Sequence, residues 1–118
     1  MASILSDDSP FAGRHAVVTG GGSGIGAAIA KELAGLGATL TLIGRRRSAV
    51  ETVAASLAGA GHGVAVADVT DHIGIASVMA DAVSERGPIG ILINNAGAAR
   101  SAPLTRTSIE LWRETLAV

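Results

Sequence analysis

Thr19-Gly20-Gly21-Gly22-Ser23-Gly24-Ile25-Gly26 is the stretch on which the fold turns. Ala16-Val17-Val18 precedes it, a short β-prone run. Ala27-Ala28-Ile29-Ala30-Lys31-Glu32-Leu33 follows, helix-forming and amphipathic. A strand, a glycine turn and a helix N-terminus in that order make a cradle for phosphate, because the loop offers unpaired backbone N–H groups and the helix dipole favours negative charge. A plain strand-to-helix turn needs one or two glycines for positive φ; this loop has more. The spacing is T-G-x-x-x-G-x-G, and the flanking strand and helix favour nucleotide binding over a bare turn. No Gly-Lys-[Ser/Thr] closes the loop, so no lysine reaches a γ-phosphate and the ATPase-type loop is excluded.

Outward from the loop, the pattern alternates strictly. The first strand is read at His15–Thr19 and the first helix at about Ser23–Leu36, with Ile29, Leu33 and Leu36 as its apolar stripe and Gly35 and Gly37 at its end. Thr39–Ile43 is apolar or neutral throughout, which suits a strand buried on both faces of a parallel sheet. Gly44 and Arg45-Arg46-Arg47 break it. A second helix is expected over Ser48–Ala58, with Val50, Val53, Ala54 and Leu57 inward, then a turn at Gly59–Gly63 and a third strand at Val64–Val69. Asp71 can cap a third helix whose stripe is Ile75, Val78, Met79, Ala82 and Val83, and Gly87-Pro88 stops it. Ile89–Ile93 is the fourth strand, and Thr107-Ser108-Ile109-Glu110 reads as a capping box opening a fourth helix. The βαβαβαβα order implies an α/β, Rossmann-like, doubly wound parallel sheet of strand order 3-2-1-4. Residues 1–10 read as a flexible leader and 11–118 as one dinucleotide-binding domain. That domain is expected to be incomplete, truncated after the fourth strand and part of the following helix, because the last strand leaves an apolar edge.

Composition narrows the function. The chain has 118 residues, 48% of them hydrophobic, and only Phe11 and Trp112 are aromatic. A formal net charge of −1 gives no reason to expect nucleic acid or an anionic membrane as partner. No apolar run approaches the ~20 residues of a membrane-spanning helix, and residues 1–10 lack the pattern of a secretory signal; a cytoplasmic location is the expectation. There is no cysteine, hence no disulfide or thiolate chemistry. There is no tyrosine, and the one lysine is Lys31. His15, His62 and His72 have no ligand spacing, so no metal site is expected. Ser101 has no base or elbow near it and reads as a loop serine. Trp112 shares a helical face with Ile109 and Leu116, which is ordinary packing.

The strand ends carry the remaining chemistry. An Asp or Glu closing the second strand would bond the adenosine 2′-hydroxyl and repel a 2′-phosphate. Here Gly44 is followed by three arginines, whose planar forks match phosphate. Cations at a helix N-terminus oppose its dipole, so at least one of them calls for a reason beyond the helix. Ser23 can add a hydroxyl to the same phosphate. These features favour NADP(H), with NAD(H) possible. Asp68-Val69 ends the third strand, where the carboxylate can accept from an adenine amino group or serve as a turn aspartate. Asn94-Asn95-Ala96-Gly97 ends the fourth; asparagines there can tie adjacent strands, and Ala96-Gly97 leaves room for a cofactor's sugar.

Together these motifs resemble the short-chain dehydrogenases/reductases. Thr19-Gly20-x-x-x-Gly24-Ile25-Gly26 is similar to the family's cofactor loop, Asp68-Val69 to its adenine-contacting pair, Asn94-Asn95-Ala96-Gly97 to its fourth-strand signature, and Trp112…Leu116-Ala117-Val118 to the helix before its conserved asparagine. The likeness runs from about residue 11 to 118. It implies hydride transfer between a nicotinamide dinucleotide and a small alcohol or carbonyl compound, by an Asn, a Ser and a Tyr-x-x-x-Lys pair. None of these four maps onto the chain; the asparagine is expected immediately after Val118 and the others further on. The resemblance therefore carries over cofactor contacts alone: Gly20, Ser23, Gly24, Ile25, Gly26, Arg45, Asp68, Val69, Asn95, Ala96 and Gly97, with Arg45 meeting the 2′-phosphate. It also implies a homo-oligomer. The expected function is the cofactor-binding half of an oxidoreductase, inactive alone. The alternatives are a non-catalytic nucleotide-binding or interaction module and a split enzyme completed by a second chain.

Overall fold

The computed structural model describes residues 9–95. Residues 1–8 of the expected leader, Ala96, Gly97, Ser101, the capping box at Thr107 and Trp112 lie outside the described residues. The elements are β1 (His15–Thr19), α1 (Gly24–Gly35), β2 (Thr39–Gly44), α2 (Arg47–Ala55), β3 (Gly63–Val66), α3 (His72–Arg86) and β4 (Ile89–Asn94). All strand pairs are parallel and the order is β3-β2-β1-β4, as the alternation implies.

The two faces of the sheet are filled by period-two alternation. Ala16 and Val18 of β1 and Leu40 and Leu42 of β2 pack against Ala30 and Ala34 of α1 and Val50, Val53 and Leu57 at α2. Val17 and Ile43 point the other way, onto Ile75 and Met79 of α3. Leu40 to Ile43 are all buried, so β2 is covered on both sides as its sequence requires. In β4 the alternation slips: the pairing with β1 passes from Ile89 directly to Ile91, leaving Gly90 as the extra residue. That irregularity puts Ile89 and Leu92 on the α3 face and Ile91 and Ile93 on the other.

Four expectations need correction. The inward face of α1 is Gly26, Ala30 and Ala34 rather than Ile29, Leu33 and Leu36. Small residues let the helix approach the strands closely, and Leu33 packs only at the edge of the core. On α3 the buried line is Ile75, Met79 and Ala82, while Val83 is turned outward and exposed. The second helix ends at Ala55, because Ser56 donates both its N–H and its hydroxyl to the Val53 carbonyl, at 2.9 and 2.6 Å, and closes the turn. The third strand ends at Val66, not Val69. After one further bond, from Ala67 N–H to the Gly44 carbonyl at 3.1 Å, Asp68 turns the chain by accepting from the Thr70 N–H and hydroxyl at 2.9 and 2.8 Å. Asp71 does cap α3, accepting from Gly74 N–H at 3.1 Å.

Leu42 is fully buried between the glycine loop and α2. Leu42→Ala is expected to lower the stability to urea by about 2–5 kcal/mol. Asp71→Ala, which removes only the cap, is expected to cost about 0.5–2 kcal/mol.

Candidate functional site

The parallel register places Asn94, Thr19, Ile43 and Ala65 in one row across the sheet. Every site residue read from the sequence and described lies just past that row, at the carboxyl ends of the strands: Gly20 to Gly26 after β1, Arg45 after β2, Asp68 and Val69 after β3, and Asn95 after β4. In an open α/β sheet this is the edge that binds ligands.

The glycine loop is anchored at its start. The N–H groups of Gly20 and Gly21 donate to the Ile43 carbonyl at 2.8 and 3.3 Å. Gly20 and Gly24 hold positive φ, +68° and +60°, which L side chains rarely adopt. A Cβ at Gly21 would meet Leu42 at 3.1 Å, and one at Gly22 would meet the Ala49 Cβ at 3.0 Å. The loop therefore lies tight on β2 and on the first turn of α2. At Gly26 a Cβ would run into the Gly20 carbonyl oxygen and sit 2.8 Å from the Asn95 side-chain nitrogen. Only glycine lets α1 begin here.

Helix α1 begins bare. Its N-cap, Ser23, makes no side-chain cap bond, and no acidic residue lies in the first turn. The first i→i−4 bond runs from Ala27 N–H to the Ser23 carbonyl, leaving the N–H groups of Gly24, Ile25 and Gly26 without a carbonyl inside the helix. Ser23 and Gly24 are exposed, and the Ile25 side chain is 69% exposed beside them. A positive, uncapped helix end with an apolar residue at its lip is suited to an anion attached to a flat or apolar group.

Thr19, not singled out on its own from the sequence, joins β1 to β4. Its buried hydroxyl lies 3.0 Å from Asn94 Oδ1 and 3.4 Å from the Ile93 carbonyl, and it accepts from Asn95 N–H at 3.0 Å. The Asn95 amide in turn donates to the Gly20 carbonyl at 3.4 Å. The expected strand-tying role of the asparagines is met by this cluster. Its signal in the sequence was a β-branched hydroxyl residue at a strand end, which propensity alone explains equally well.

At the end of β2, a Cβ on Gly44 would come 2.8 Å from Val50 Cγ1. Arg45 and Arg46 are exposed, and neither makes an ion pair among the described residues, whereas Arg47 is paired with Glu51 at 3.6 Å along α2. Arg46 is the N-cap of α2 and makes no capping bond. Val69 packs partly into the core against α3. Among the described residues there is no group of three or more His, Asp or Glu fit to hold a metal, and no helix long and apolar enough to cross a membrane.

Comparison with known proteins agrees with this geometry. A sequence model described as short chain dehydrogenase matches residues 14–118. A D-threitol dehydrogenase of Mycolicibacterium smegmatis is 39% identical, over 99% of this chain and 46% of its own length. The solved structure of a citronellol catabolism dehydrogenase from Pseudomonas aeruginosa PAO1 superposes with a TM-score of 0.68 at 36% identity, covering 85% of this chain and 43% of that one. A metagenomic short-chain oxidoreductase solved in complex with NADP gives 0.64 at 32%, covering 70% and 38%. The chain thus spans less than half the length of these relatives.

Thr19→Val keeps the shape of the side chain but strands the Asn94 and Asn95 groups. It is expected to cost about 1–3 kcal/mol in urea unfolding. Gly26→Ala is expected to destabilise the fold, whereas Gly35→Ala, where a Cβ meets nothing within 4 Å, is expected to stabilise it by about 0.5–1 kcal/mol.

Proposed function

The chain belongs to the short-chain dehydrogenase family, and from that premise we propose that it forms the cofactor-binding half of an oxidoreductase that uses NADP(H) in preference to NAD(H). The observation that carries the choice of cofactor is the end of β2. A side chain at position 44, where a carboxylate would select against a 2′-phosphate, would bring its Cβ within 2.8 Å of the buried Val50 Cγ1 and force one of them to shift. The next residue is an exposed arginine with no ion pair among the described residues.

The uncapped first turn of α1 and the glycine cradle fit a pyrophosphate. In this reading Gly20, Ser23, Gly24, Ile25 and Gly26 hold it, with the N–H groups of the α1 first turn aimed at the charge. Arg45 takes the 2′-phosphate, assisted by the Ser23 hydroxyl; contact between Gly22 and Ala49 keeps loop and α2 together there. Asp68 and Val69 meet the adenine. Asp68 keeps a role for its carboxylate in the β3 turn, so one oxygen is already committed to Thr70. Asn95, Ala96 and Gly97 border the ribose.

When bound, the cofactor supplies or accepts a hydride. This chain's own residues bind and orient it, and the Ser, Tyr and Lys that handle the proton belong in the portion of the relatives that the chain does not span. The substrate is a small alcohol or carbonyl compound, the assembled protein is a homo-oligomer, and the location is the cytoplasm. The NADP complex of a structural neighbour at 32% identity supports the cofactor reading.

The test is fluorescence titration of the natural, full-length protein with NADPH and NADH. Arg45→Asp is expected to weaken NADPH by about 1.5–3 kcal/mol, roughly ten- to a hundredfold in Kd, and NADH by much less. Equal losses for both would remove Arg45 from the 2′-phosphate. Binding of neither cofactor by the unaltered protein would remove the reading as a whole.

A further inference from the structure

The amino-terminal edge of the sheet, opposite the cofactor rim, holds two histidines that the proposed function does not use. His15, 2% exposed, lies with Nδ1 2.9 Å from the Gly87 carbonyl and Nε2 2.7 Å from the Thr41 hydroxyl. A carbonyl only accepts, so Nδ1 carries the proton and Nε2 accepts from Thr41. His62 has the opposite arrangement. Its Nε2 lies 2.7 Å from the Ala58 carbonyl, and its Nδ1 lies 3.0 Å from the Leu40 N–H. A backbone N–H only donates, so Nδ1 is bare and Nε2 carries the proton. Each ring thus ties the segment that leaves a helix to the start of β2: His15 from the α3–β4 turn, His62 from the α2–β3 turn.

We propose that these two imidazoles clamp β2 and that the buried one, His15, makes the clamp proton-sensitive, closed while it is neutral and opened by acidification. Protonating His15 forces the Thr41 hydroxyl to reverse, and the Thr41 proton then needs a new acceptor in a fully packed layer. The Arg86 charge works in the same direction, and Arg86 is itself paired with Glu85 at 3.1 Å. Arg86 faces it from the last turn of α3, its guanidinium laid across Gly63; β2 and β4 present Thr41 and Ile89, neither ionisable; Arg14, its chain neighbour, is exposed. The hydrogen-bond partners of His62 are the uncharged Leu40 N–H and Ala58 carbonyl, while the Arg86 guanidinium lies across its chain neighbour Gly63.

Burial lowers the His15 pKa from 6.5; the Gly87 carbonyl opposes that, and the Arg86 charge adds to it. The unfolded chain therefore takes up this proton at a higher pH than the folded one. The stabilisation is complete above the unfolded value of 6.5 and is lost as pH falls from there through the lower folded value. The loss reaches the other edge through β2 itself, since the Ile43 carbonyl holds the N–H groups of Gly20 and Gly21.

Hydrogen exchange of the natural, full-length protein, corrected for intrinsic rates, tests this at pH 7.5 and 5.5. Protection across Thr39–Gly44 is expected to fall roughly five- to tenfold on acidification, the equivalent of about one hydrogen bond. The double variant His15→Gln/His62→Gln offers the same donor and acceptor without titrating, and is expected to keep its protection. His72→Gln, at an exposed residue opening α3, is expected to behave like the unaltered protein. An equal fall in the double variant, or no fall in the unaltered protein, overturns the proposal. Should the double variant not fold, ¹⁵N spectra of the unaltered protein at pH 7.5 decide: His15 protonated at Nδ1 and His62 at Nε2 support the clamp, and the reverse tautomers or an imidazolium at either position overturn it.

Discussion

The meeting of Gly26 with the Gly20 carbonyl and the Asn95 amide is the contact on which the carboxyl edge depends. It fixes where α1 starts relative to β1, and with that the direction in which the helix points its first-turn N–H groups. Any side chain at position 26 would push the helix off the loop. The loop would then lose its tight seat on Leu42 and Ala49, and Asn95 its hold on Gly20. The small-residue face of α1 continues the same logic: Ala30 and Ala34 follow Gly26 at helical spacing, and the whole helix lies close to the strands. Close approach at one point thus sets the position of the whole helix on the sheet.

The two edges of the sheet carry opposite chemistry for one reason. Parallel strands send every helix N-terminus toward the carboxyl edge and every helix C-terminus toward the other. N–H groups without helical partners collect at the first edge, carbonyls at the second. The loop after β1 spends the N–H groups of Gly20 and Gly21 on the Ile43 carbonyl, the first-turn N–H groups of α1 have no partner inside the helix, and Thr19 with the two asparagines locks the strands beneath. At the other edge, carbonyls at Ala58 and Gly87 are met by imidazole N–H groups. β2 touches both systems, through Leu40 and Thr41 at one end and the Ile43 carbonyl at the other.

Much of this was legible in the residues. Strict alternation gave the order of elements, the apolar run at Thr39–Ile43 gave a central strand, and the glycine loop gave the strand-to-helix turn at the carboxyl edge. The misses share a cause. Periodicity ranks residues by hydrophobicity, so Ile29 and Leu33 were chosen over Ala30 and Ala34, although closeness of approach was what the helix required. Val66 to Val69 looked like continuous strand because Asp68 is one polar residue, and the turn it makes with Thr70 depends on a side-chain bond that no pattern reveals. The slip at Gly90 depends on pairing with β1, which lies more than seventy positions away in the chain. His15 and His62 were read for metal spacing, and their actual partners are backbone and hydroxyl groups, all but the Ala58 carbonyl more than twenty positions away.

Charge placement relative to the helix dipoles carries the argument one step further. Arginines 45, 46 and 47 stand at the N-terminus of α2, where cations are disfavoured, and no acid occupies its first turn. A helix selected for its own stability would reverse that choice. Glu51 relieves only Arg47, through an exposed pair worth little. The remaining positive charge at Arg45 and Arg46 adds to the bare end of α1 across the Gly22–Ala49 contact. Two positive helix ends and two arginines then face one edge, with no protein carboxylate paired to either arginine among the described residues. An anion with two separated phosphates balances such an edge better than one with a single phosphate, because one phosphate would leave either the loop or the arginines uncompensated.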